Sequence, residues 1–288
     1  MVHLAAFFAL LASTAPVWAA IPSLPNYRLV WGDDFNWSAG SSVNRDPSNG
    51  WEVFKRSRFN NDNDEKQEYR DHPNNVRQSG SGELYIIPTK ENGIWYSGRL
   101  HSFRSFSVPA GRAMVVQAEI KVPNFGGSPA KYKGLWPAFW ALGQGIRQGV
   151  KWPKCGEWDI MEVANNRGTW NQGTVHFALP GSNTLTSRSN GIGYNGQEYH
   201  TWAIKIDRRK SDWKREEITF WRDGTVYHNV TGNSINNWGQ WNELAHKPYF
   251  VLLNMAVGGR FGGAEGPETQ GGVGSAVRVR YVGVYESV

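Results

Sequence analysis

EWDIME, at residues 157–162, is the most informative stretch of this sequence, because it places three carboxylates among Trp, Ile and Met. Burying carboxylates close together costs free energy unless each is paired, protonated or used in chemistry. Aromatic-rich stretches lie on both sides, GLWPAFW at 134–140 and GTVHF at 173–177. An exposed strand with scattered acids is the alternative, but the aromatic neighbours favour a cluster of acids at a functional site.

Alternation along a strand predicts how the acids are arranged. Successive side chains point to opposite faces, so Glu157 and Asp159 share a face while Glu162 falls on the other. A β-bulge at Ile160-Met161 would insert one residue into the ladder and return Glu162 to the face of the other two. We therefore predict a bulge here, and bulges are common beside active sites.

The spacing of the two glutamates predicts the type of reaction. Across the bulge their Cα atoms would lie four strand steps apart, about 13 Å. Leaning side chains can shorten this to the ~5–5.5 Å carboxyl separation of retaining glycosidases, whereas inverting enzymes need a wider gap for water. The spacing thus predicts retention. Asp159, between the glutamates, can orient one of them and raise the pKa of the acid that stays protonated.

Strand signals recur along most of the chain. Arg112 to Val122 alternates, Tyr249 to Val257 is a nearly continuous apolar run, and Asp223-Gly224 between alternating runs is a strong hairpin signal. The Gly- and Asn-rich segments at 38–49 and 60–75 are typical of loops. Many short strands, Gly-rich turns and little helical periodicity predict an all-β fold, a two-sheet antiparallel sandwich.

The N-terminal segment predicts secretion. Residues 4–12 are apolar, and Val17-Trp18-Ala19 supplies the small residues that a signal peptidase recognises. A membrane anchor is the alternative, but the apolar run is too short for a spanning helix. We expect a signal peptide at 1–19, a single catalytic domain at 20–288, and a secreted, extracellular protein with no membrane partner.

Composition limits the classes of partner. The chain has 288 residues, a formal charge of +6 and a pI near 9.4. Its basic residues are dispersed, and the densest run, at 208–215, is followed at once by Glu216-Glu217, so we expect no nucleic-acid partner. Fifteen tryptophans supply flat faces that can stack on sugar rings. The single Cys155 excludes an internal disulfide, and we expect it to be buried.

Several segments carry recognisable motifs. They are WGDDF at 31–35, EKQEY at 65–69, YSGR at 96–99, LWPAFW at 135–140, GEWDIME at 156–162, GTVH at 173–176 and LNMAVGG at 253–259. Together they resemble glycoside hydrolase family 16, the laminarinase-like β-glucanases, over most of the chain that follows the leader. The resemblance implies a β-jelly-roll sandwich, concanavalin A-like, with an open cleft on its concave sheet.

The resemblance also implies roles for individual side chains. By this likeness, Glu157 is the nucleophile that forms a glycosyl-enzyme, Glu162 is the general acid and then base, and Asp159 assists them. The substrate-binding residues implied in the same way are Trp136, Trp140, Arg99, His176, Gln172, Asn254 and Glu65. For the two tryptophans the alternative is a place in the core, and for the histidine and the asparagine it is a hydrogen bond within the fold.

Some positions depart from the family pattern. Trp158 stands where members usually have a small aliphatic residue, and Gln172 stands where many have His. Many members also hold calcium near the C-terminus, but Arg280 occupies the corresponding position, so we expect no metal there. We expect no cofactor.

The leading hypothesis is an endo-acting, retaining glycosidase on β-1,3 or mixed β-1,3/1,4 glucan, working as a monomer. A transglycosylase on cell-wall glucan would use the same carboxylates, and another β-linked polysaccharide, such as β-1,3-galactan, stays open as the substrate. A lectin of the same fold would bind glycan without cutting it, but such a protein would be expected to have lost an acid.

Overall fold

The computed structural model of the chain describes residues 20–57, 63–178 and 185–288. The expected signal peptide, at 1–19, lies outside the described residues. Within the described ranges, no helix has both the length and the apolar character needed to cross a membrane.

Strands dominate the described part of the chain. They are β1 (Tyr27–Asp33), β2 (Trp51–Val53), β3 (Gln67–Tyr69), β4 (Val76–Gln78), β5 (Leu84–Ile86), β6 (Thr89–Glu91), β7 (Ile94–Ser97), β8 (Arg99–Ser102), β9 (Ala113–Lys121), β10 (Leu135–Gly143), β11 (Glu157–Glu162), β12 (Trp170–Asn171), β13 (Thr174–Phe177), β14 (Leu185–Arg188), β15 (Ile192–Gly193), β16 (His200–Asp207), β17 (Glu217–Arg222), β18 (Thr225–Thr231), β19 (Tyr249–Val257) and β20 (Val277–Ser287).

Helical segments are short and lie in the connections. The α-helices are α1 (Gly232–Ile235), α2 (Trp238–Trp241) and α3 (Gly259–Gly262). A π-helical turn spans Asn242–His246, and 3₁₀ turns span Pro129–Tyr132, Gln144–Gln148, Asn165–Arg167, Trp213–Arg215 and Val273–Ser275.

Two antiparallel sheets form the body of the molecule. The front sheet has the order β14-β13-β11-β10-β19-β8-β2, and the back sheet has the order β18-β17-β16-β9-β20-β5-β4, with β1 also paired to β20. Two smaller sheets, β12-β15 and β3-β7-β6, lie beside them. The expected all-β antiparallel sandwich is confirmed.

The core lies between the two sheets. Phe139 and Trp158 of the front sheet share one buried apolar cluster with Val116 and Trp202 of the back sheet. This is the packing that alternating strands produce, because every second side chain is removed from water. The other face of β10 and β11 is therefore free to carry polar groups.

The Asp223-Gly224 hairpin forms as predicted. Arg222 of β17 pairs with Thr225 of β18, which leaves a two-residue loop. Asp223 has φ 48° and Gly224 has φ 78°, the positive values that a type I′ turn requires at both positions.

The expectation of a loop over residues 60–75 is wrong in part. Gln67–Tyr69 forms β3, which pairs in parallel with β7. Its Asn- and Asp-rich surroundings conceal this short strand, because its partner lies more than twenty residues further along the chain and local composition does not reveal it. The other expected loop, residues 38–49, contains no strand in the structure.

Candidate active site

The predicted bulge is confirmed in β11. Asp159 lies opposite Trp140 and Glu162 lies opposite Ala138, so Ile160 is the additional residue that the register of β10 does not match. The bulge brings Glu162 onto the face that Asp159 occupies. All three carboxylates therefore line one pocket of about 630 Å³ on the outer face of the front sheet.

Charged and aromatic side chains share the lining of this pocket. Its described lining includes the tryptophans Trp136, Trp140 and Trp152. The arginines in it are Arg56, Arg99, Arg167, Arg188 and Arg260. Flat rings beside hydrogen-bond donors and acceptors are the combination that a sugar needs, because a pyranose has apolar faces and a rim of hydroxyls.

His176 lies among the acids, as the resemblance implied. It stands on β13, opposite Glu157 of β11. Its Nε2 lies 3.0 Å from Asp159 Oδ2 and 3.6 Å from Glu157 Oε1. Its Nδ1 is buried and has no hydrogen-bond partner among the residues that the structure describes. The side chain therefore connects two of the carboxylates and keeps one polar atom for another contact.

Burial changes the proton affinity of the acids. It raises the pKa of Glu157 and of Glu162 to about 8, with the Asp159 charge as the second cause in both. Burial also raises the pKa of Asp159 to about 7, against a lowering effect of Arg188. Carboxylates this close cannot all be charged at neutral pH, so the cluster shares protons. It can supply a protonated acid and an ionised nucleophile together.

The same atoms have the spacing of a small cation site. Among the described residues, Glu157, Asp159 and His176 each present a donor atom, and these atoms lie within 4.8 Å of one another. Two carboxylates and an imidazole are a donor set that divalent transition metals accept. A proton shared among the buried acids balances the same charge, so the site's chemistry does not require a metal.

Asn254 fixes the ring of Trp140. The Trp140 Nε1–H donates to Asn254 Oδ1 at 2.8 Å, and Asn254 Nδ2 donates to the Tyr69 hydroxyl at 3.2 Å. Tyr69 donates in turn to Glu65 Oε2 at 3.2 Å, and Arg56 lies 3.1 Å from the same oxygen. Glu65, Asn254 and Trp140 all line the pocket, and they form one hydrogen-bonded wall.

Arg99 forms part of the same wall. Its guanidinium Cζ lies 4.8 Å from the ring centroids of both Phe54 and Trp140, which holds it by cation–π contacts. Its Nε–H donates to His101 Nε2 at 2.8 Å. The structure thus brings Arg99 together with the acids, as expected from the sequence.

The tryptophans differ in exposure. Trp136 is only 8% exposed and packs on Phe261 at 5.2 Å, while Trp140 is partly buried. Trp152, which the sequence analysis did not single out, is 46% exposed and lies 5.5 Å from the ring of His176. Its signal in the sequence was a tryptophan in a polar loop just before the acidic strand.

Gln172 takes a different position from the other expected binding residues. It lies outside the pocket lining found in the described ranges. Its Oε1 accepts from Arg167 at 3.2 Å and its Nε2 donates to the Ser189 carbonyl at 3.2 Å. Arg167 and Arg188, which do line the pocket, were missed because isolated arginines in loops and edge strands carry no pattern.

Trp158, unexplained in the sequence, points into the core. It is 1% exposed, stacks on Tyr249 at 3.6 Å with an interplanar angle of 9°, and donates its Nε1–H to the Leu244 carbonyl at 3.1 Å. Gly156, with φ 77°, leaves room beside it, since a Cβ there would collide with the Tyr249 hydroxyl.

Two further expectations concern single residues. Cys155 is buried, as predicted, and packs with Leu142 and Leu252. Arg280 lies 3.4 Å from Glu119 in an ion pair on the back sheet, and the absence of a metal near it stays a prediction.

Comparison with known proteins identifies the family. The family model described as "XgeA-like, catalytic GH16 domain" matches residues 114–212. The endo-1,3-beta-glucanase of Streptomyces sioyaensis is 30% identical, with a TM-score of 0.79, and the match covers 93% of this chain and 99% of that one. The chain belongs to glycoside hydrolase family 16. The laminarinase-like resemblance seen in the motifs is thereby confirmed.

Two further glucan-cleaving proteins match over similar lengths of this chain. The endo-beta-1,3-glucanase of Pyrococcus furiosus is 32% identical with a TM-score of 0.69, covering 91% of this chain and 95% of that one. The glucan endo-1,3-beta-glucosidase A1 of Niallia circulans is 25% identical over 285 residues, which is 92% of this chain. The chain spans 39% of the length of that relative.

Proposed function

We propose that the protein is an endo-acting glycoside hydrolase that cleaves β-1,3 or mixed β-1,3/1,4 glucan with retention of configuration. One observation carries the proposal. The bulge at Ile160 places Glu157, Asp159 and Glu162 on one face, in a pocket whose wall holds the ring of Trp140. Paired carboxylates beside a sugar-stacking ring are the parts that glycosidic cleavage needs.

In the first step, a Glu157 carboxylate oxygen attacks the anomeric carbon of the bound sugar. The bond from that carbon to the glycosidic oxygen breaks, and the Glu162 carboxyl gives its proton to the departing oxygen. The product is a glycosyl ester on Glu157, with Glu162 left ionised. The raised pKa of Glu162 supports its part, because the acid must hold its proton near neutral pH.

In the second step, water replaces the leaving group. Glu162 takes a proton from the water while the water oxygen attacks the anomeric carbon, and the ester bond to Glu157 breaks. Two displacements at one carbon restore the original configuration. His176 holds the carboxylates of Glu157 and Asp159 in place, since its Nε2 lies within 3.6 Å of both. Asp159 assists the two glutamates from its place between them.

The names of the relatives support the choice of polymer. The solved structures from Streptomyces sioyaensis and Pyrococcus furiosus are both named as endo-1,3-β-glucanases. A polysaccharide substrate also suits a pocket that carries several aromatic rings, because stacking is repeated along a chain of sugars.

The test is an incubation of the purified protein with laminarin, barley β-glucan, β-1,3-galactan and xyloglucan, beside Glu157→Gln. We expect the wild type to release oligosaccharides from laminarin or barley β-glucan, with the β-anomer appearing first by ¹H NMR, and the variant to release none. No release by the wild type from any polymer would overturn the hydrolase proposal. First appearance of the α-anomer would overturn retention.

The products also decide between the alternatives. Chains longer than the substrate, formed with an added acceptor oligosaccharide, would indicate a transglycosylase. Release of oligosaccharides from galactan alone would show that the substrate is a β-galactan and not a β-glucan. Glu157→Gln that still cleaves the wild type's preferred polymer would overturn the assignment of the nucleophile.

We also propose that the protein is secreted and acts as a monomer. The apolar segment and small residues before residue 20 support secretion. N-terminal sequencing of protein recovered from the medium of a eukaryotic expression host tests this, and a first residue of Ala20 is expected. Light scattering of that material tests the monomer.

A further inference from the structure

We propose that His101, which lies behind the pocket wall, is the positioning residue that aims the Arg99 guanidinium at the bound sugar. The inference rests on the proposed function, because it concerns substrate binding at the same site. It starts from the direct bond between the two side chains, Arg99 Nε to His101 Nε2 at 2.8 Å.

The contacts of Arg99 fix the plane of its guanidinium but leave one edge free. The rings of Phe54 and Trp140 lie on it at 4.8 Å each, and its Nε–H is taken by His101. In the described part of the chain, its two terminal NH₂ groups donate to no other side chain or carbonyl. Arg99 lines the pocket, so these donors are available to sugar hydroxyls on the side of Trp140.

The bond defines the protonation state of His101. An arginine Nε–H can only donate, so His101 Nε2 must offer a lone pair. The imidazole is therefore neutral and carries its proton on Nδ1. That proton faces Glu52, whose Oε2 lies 3.6 Å from Nδ1. Burial, and then the neighbouring Arg99 charge, lower the pKa of His101 to about 4, which agrees with a neutral ring.

The surroundings of His101 keep the ring in place. It is 7% exposed, stacks on Phe54 at 4.7 Å, and contacts Phe250 of β19 at 5.5 Å. The charged groups that act on it are Arg99 of its own strand, Glu52 of β2, and Arg147 of the 3₁₀ turn after β10. The fixed Nε2 of His101, behind the wall, thus holds the Arg99 guanidinium, which forms part of the wall.

This arrangement predicts how the contact fails. Protonation of His101 removes the acceptor and places a second cation beside Arg99, so the guanidinium loses its fixed direction. Substrate binding should then weaken below about pH 4, while the chemistry of the acids is governed by their own pKa values. Removal of the acceptor by mutation should produce the same loss at neutral pH.

The first test uses His101→Phe, which keeps the ring contacts with Phe54 and Phe250 but removes the acceptor. We expect KM for a laminari-oligosaccharide to rise about ten-fold with kcat changed by less than about three-fold. His101→Gln, whose side-chain oxygen reaches a similar position, should recover most of the wild-type KM. Unfolding temperatures of all variants are measured alongside.

A double-mutant cycle separates positioning from general damage. In an Arg99→Ala background, His101→Phe should have no further effect on KM, because the contact it acts through is already absent. Additive effects of the two substitutions on KM would overturn the proposal. A loss of kcat without a change of KM would do so as well.

A second measurement does not depend on activity. The ¹⁵N chemical shifts of the His101 imidazole in the wild type should show a protonated Nδ1 and an unprotonated Nε2, and the Nε2 signal should move in Arg99→Ala. A protonated Nε2 in the wild type would overturn the proposal even if His101→Phe did not fold. If the wild type cleaves no glucan, the proposed function fails, while this measurement still decides the contact.

Discussion

The two faces of β11 make opposite use of the same six residues. On the core face, Trp158 has its ring stacked on Tyr249 and its Nε1–H bonded to the Leu244 carbonyl. On the pocket face, Asp159 is buried between the partly buried Glu157 and Glu162, and loss of contact with water raises the pKa of each. The core face is satisfied and apolar, whereas the pocket face keeps groups that burial destabilises.

The difference teaches where stability and chemistry are located. A buried carboxylate cluster costs folding free energy, and the packing on the opposite side of the strand offsets that cost. Substitutions on the pocket face should therefore change rates and leave the fold intact. Substitutions on the core face should do the reverse.

Substitutions of the two glutamates, Glu162→Gln and Glu157→Gln, should cause the largest changes. In Glu162→Gln, which lacks the proton donor, we expect kcat on glucan to fall about 10⁴-fold. An aryl glycoside with a good leaving group should lose far less in the first step, since it needs little protonation, whereas Glu157→Gln should remain inactive on both substrates. Steady-state and burst kinetics measure this.

The control for that pair is Glu119→Gln. Glu119 is an acid of the back sheet, paired with Arg280, and its replacement should leave kcat unchanged. If the good leaving group restored activity to Glu157→Gln rather than to Glu162→Gln, then Glu157 would be the general acid and Glu162 the nucleophile.

Trp158→Ala tests the core face. Removal of a fully buried large aromatic typically costs about 3–5 kcal/mol of unfolding free energy. We expect that loss in urea unfolding, with kcat per folded molecule within about ten-fold of the wild type. Trp158→Phe, which keeps an aromatic ring against Tyr249 but loses the bond to Leu244 and part of the buried ring volume, should cost less. Unchanged stability with a large loss of kcat would contradict the assignment of stability to the core face of β11 and of catalysis to its pocket face.

Asp159→Asn tests how the acids act on one another. The Asp159 charge raises the pKa of both glutamates, so its removal should lower both values. Activity requires an ionised Glu157 and a protonated Glu162, and both limbs of the pH–rate profile should therefore move to lower pH. We also expect kcat at the optimum to fall about 10²-fold. A profile that moves to higher pH would contradict the charge coupling.

Trp152→Ala should have the smallest effect of the set. Trp152 and Trp170 are similarly exposed, at 46% and 45%, but only the former belongs to the described pocket lining. We expect KM for glucan to rise about ten-fold in Trp152→Ala, through lost stacking. Trp170→Ala is the matched control and should keep the wild-type KM. Equal effects of the two would remove Trp152 from the site.

Local rules predicted the features that depend on neighbours along the chain. Parity required the bulge at Ile160, and Asp223-Gly224 required a tight hairpin; both are present. The same rules failed where the partner is distant. Trp158 had no explanation in the sequence because Tyr249, on which it stacks, lies some ninety residues away.

Most of the candidate site, like most of the fold, could be predicted from the sequence. The acids and most of the expected wall residues meet in the pocket, because motif positions encode their strand and face. Gln172 lies elsewhere, since its side chain is taken up by Arg167 and the Ser189 carbonyl. The bond from Arg99 to His101 needs three-dimensional geometry, because alternation alone does not say which ring atom faces the guanidinium.

The burial of Cys155 has a practical consequence. It is the single thiol of the chain, it is 1% exposed, and it lies two residues before Glu157. Burial raises the pKa of the thiol to about 12. In the native state an alkylating reagent therefore cannot reach the sulfur, and the reactive thiolate is not populated. The rate at which such a reagent labels the native protein therefore reports how often the chain opens locally around Cys155, next to the catalytic strand, and no engineered thiol is needed.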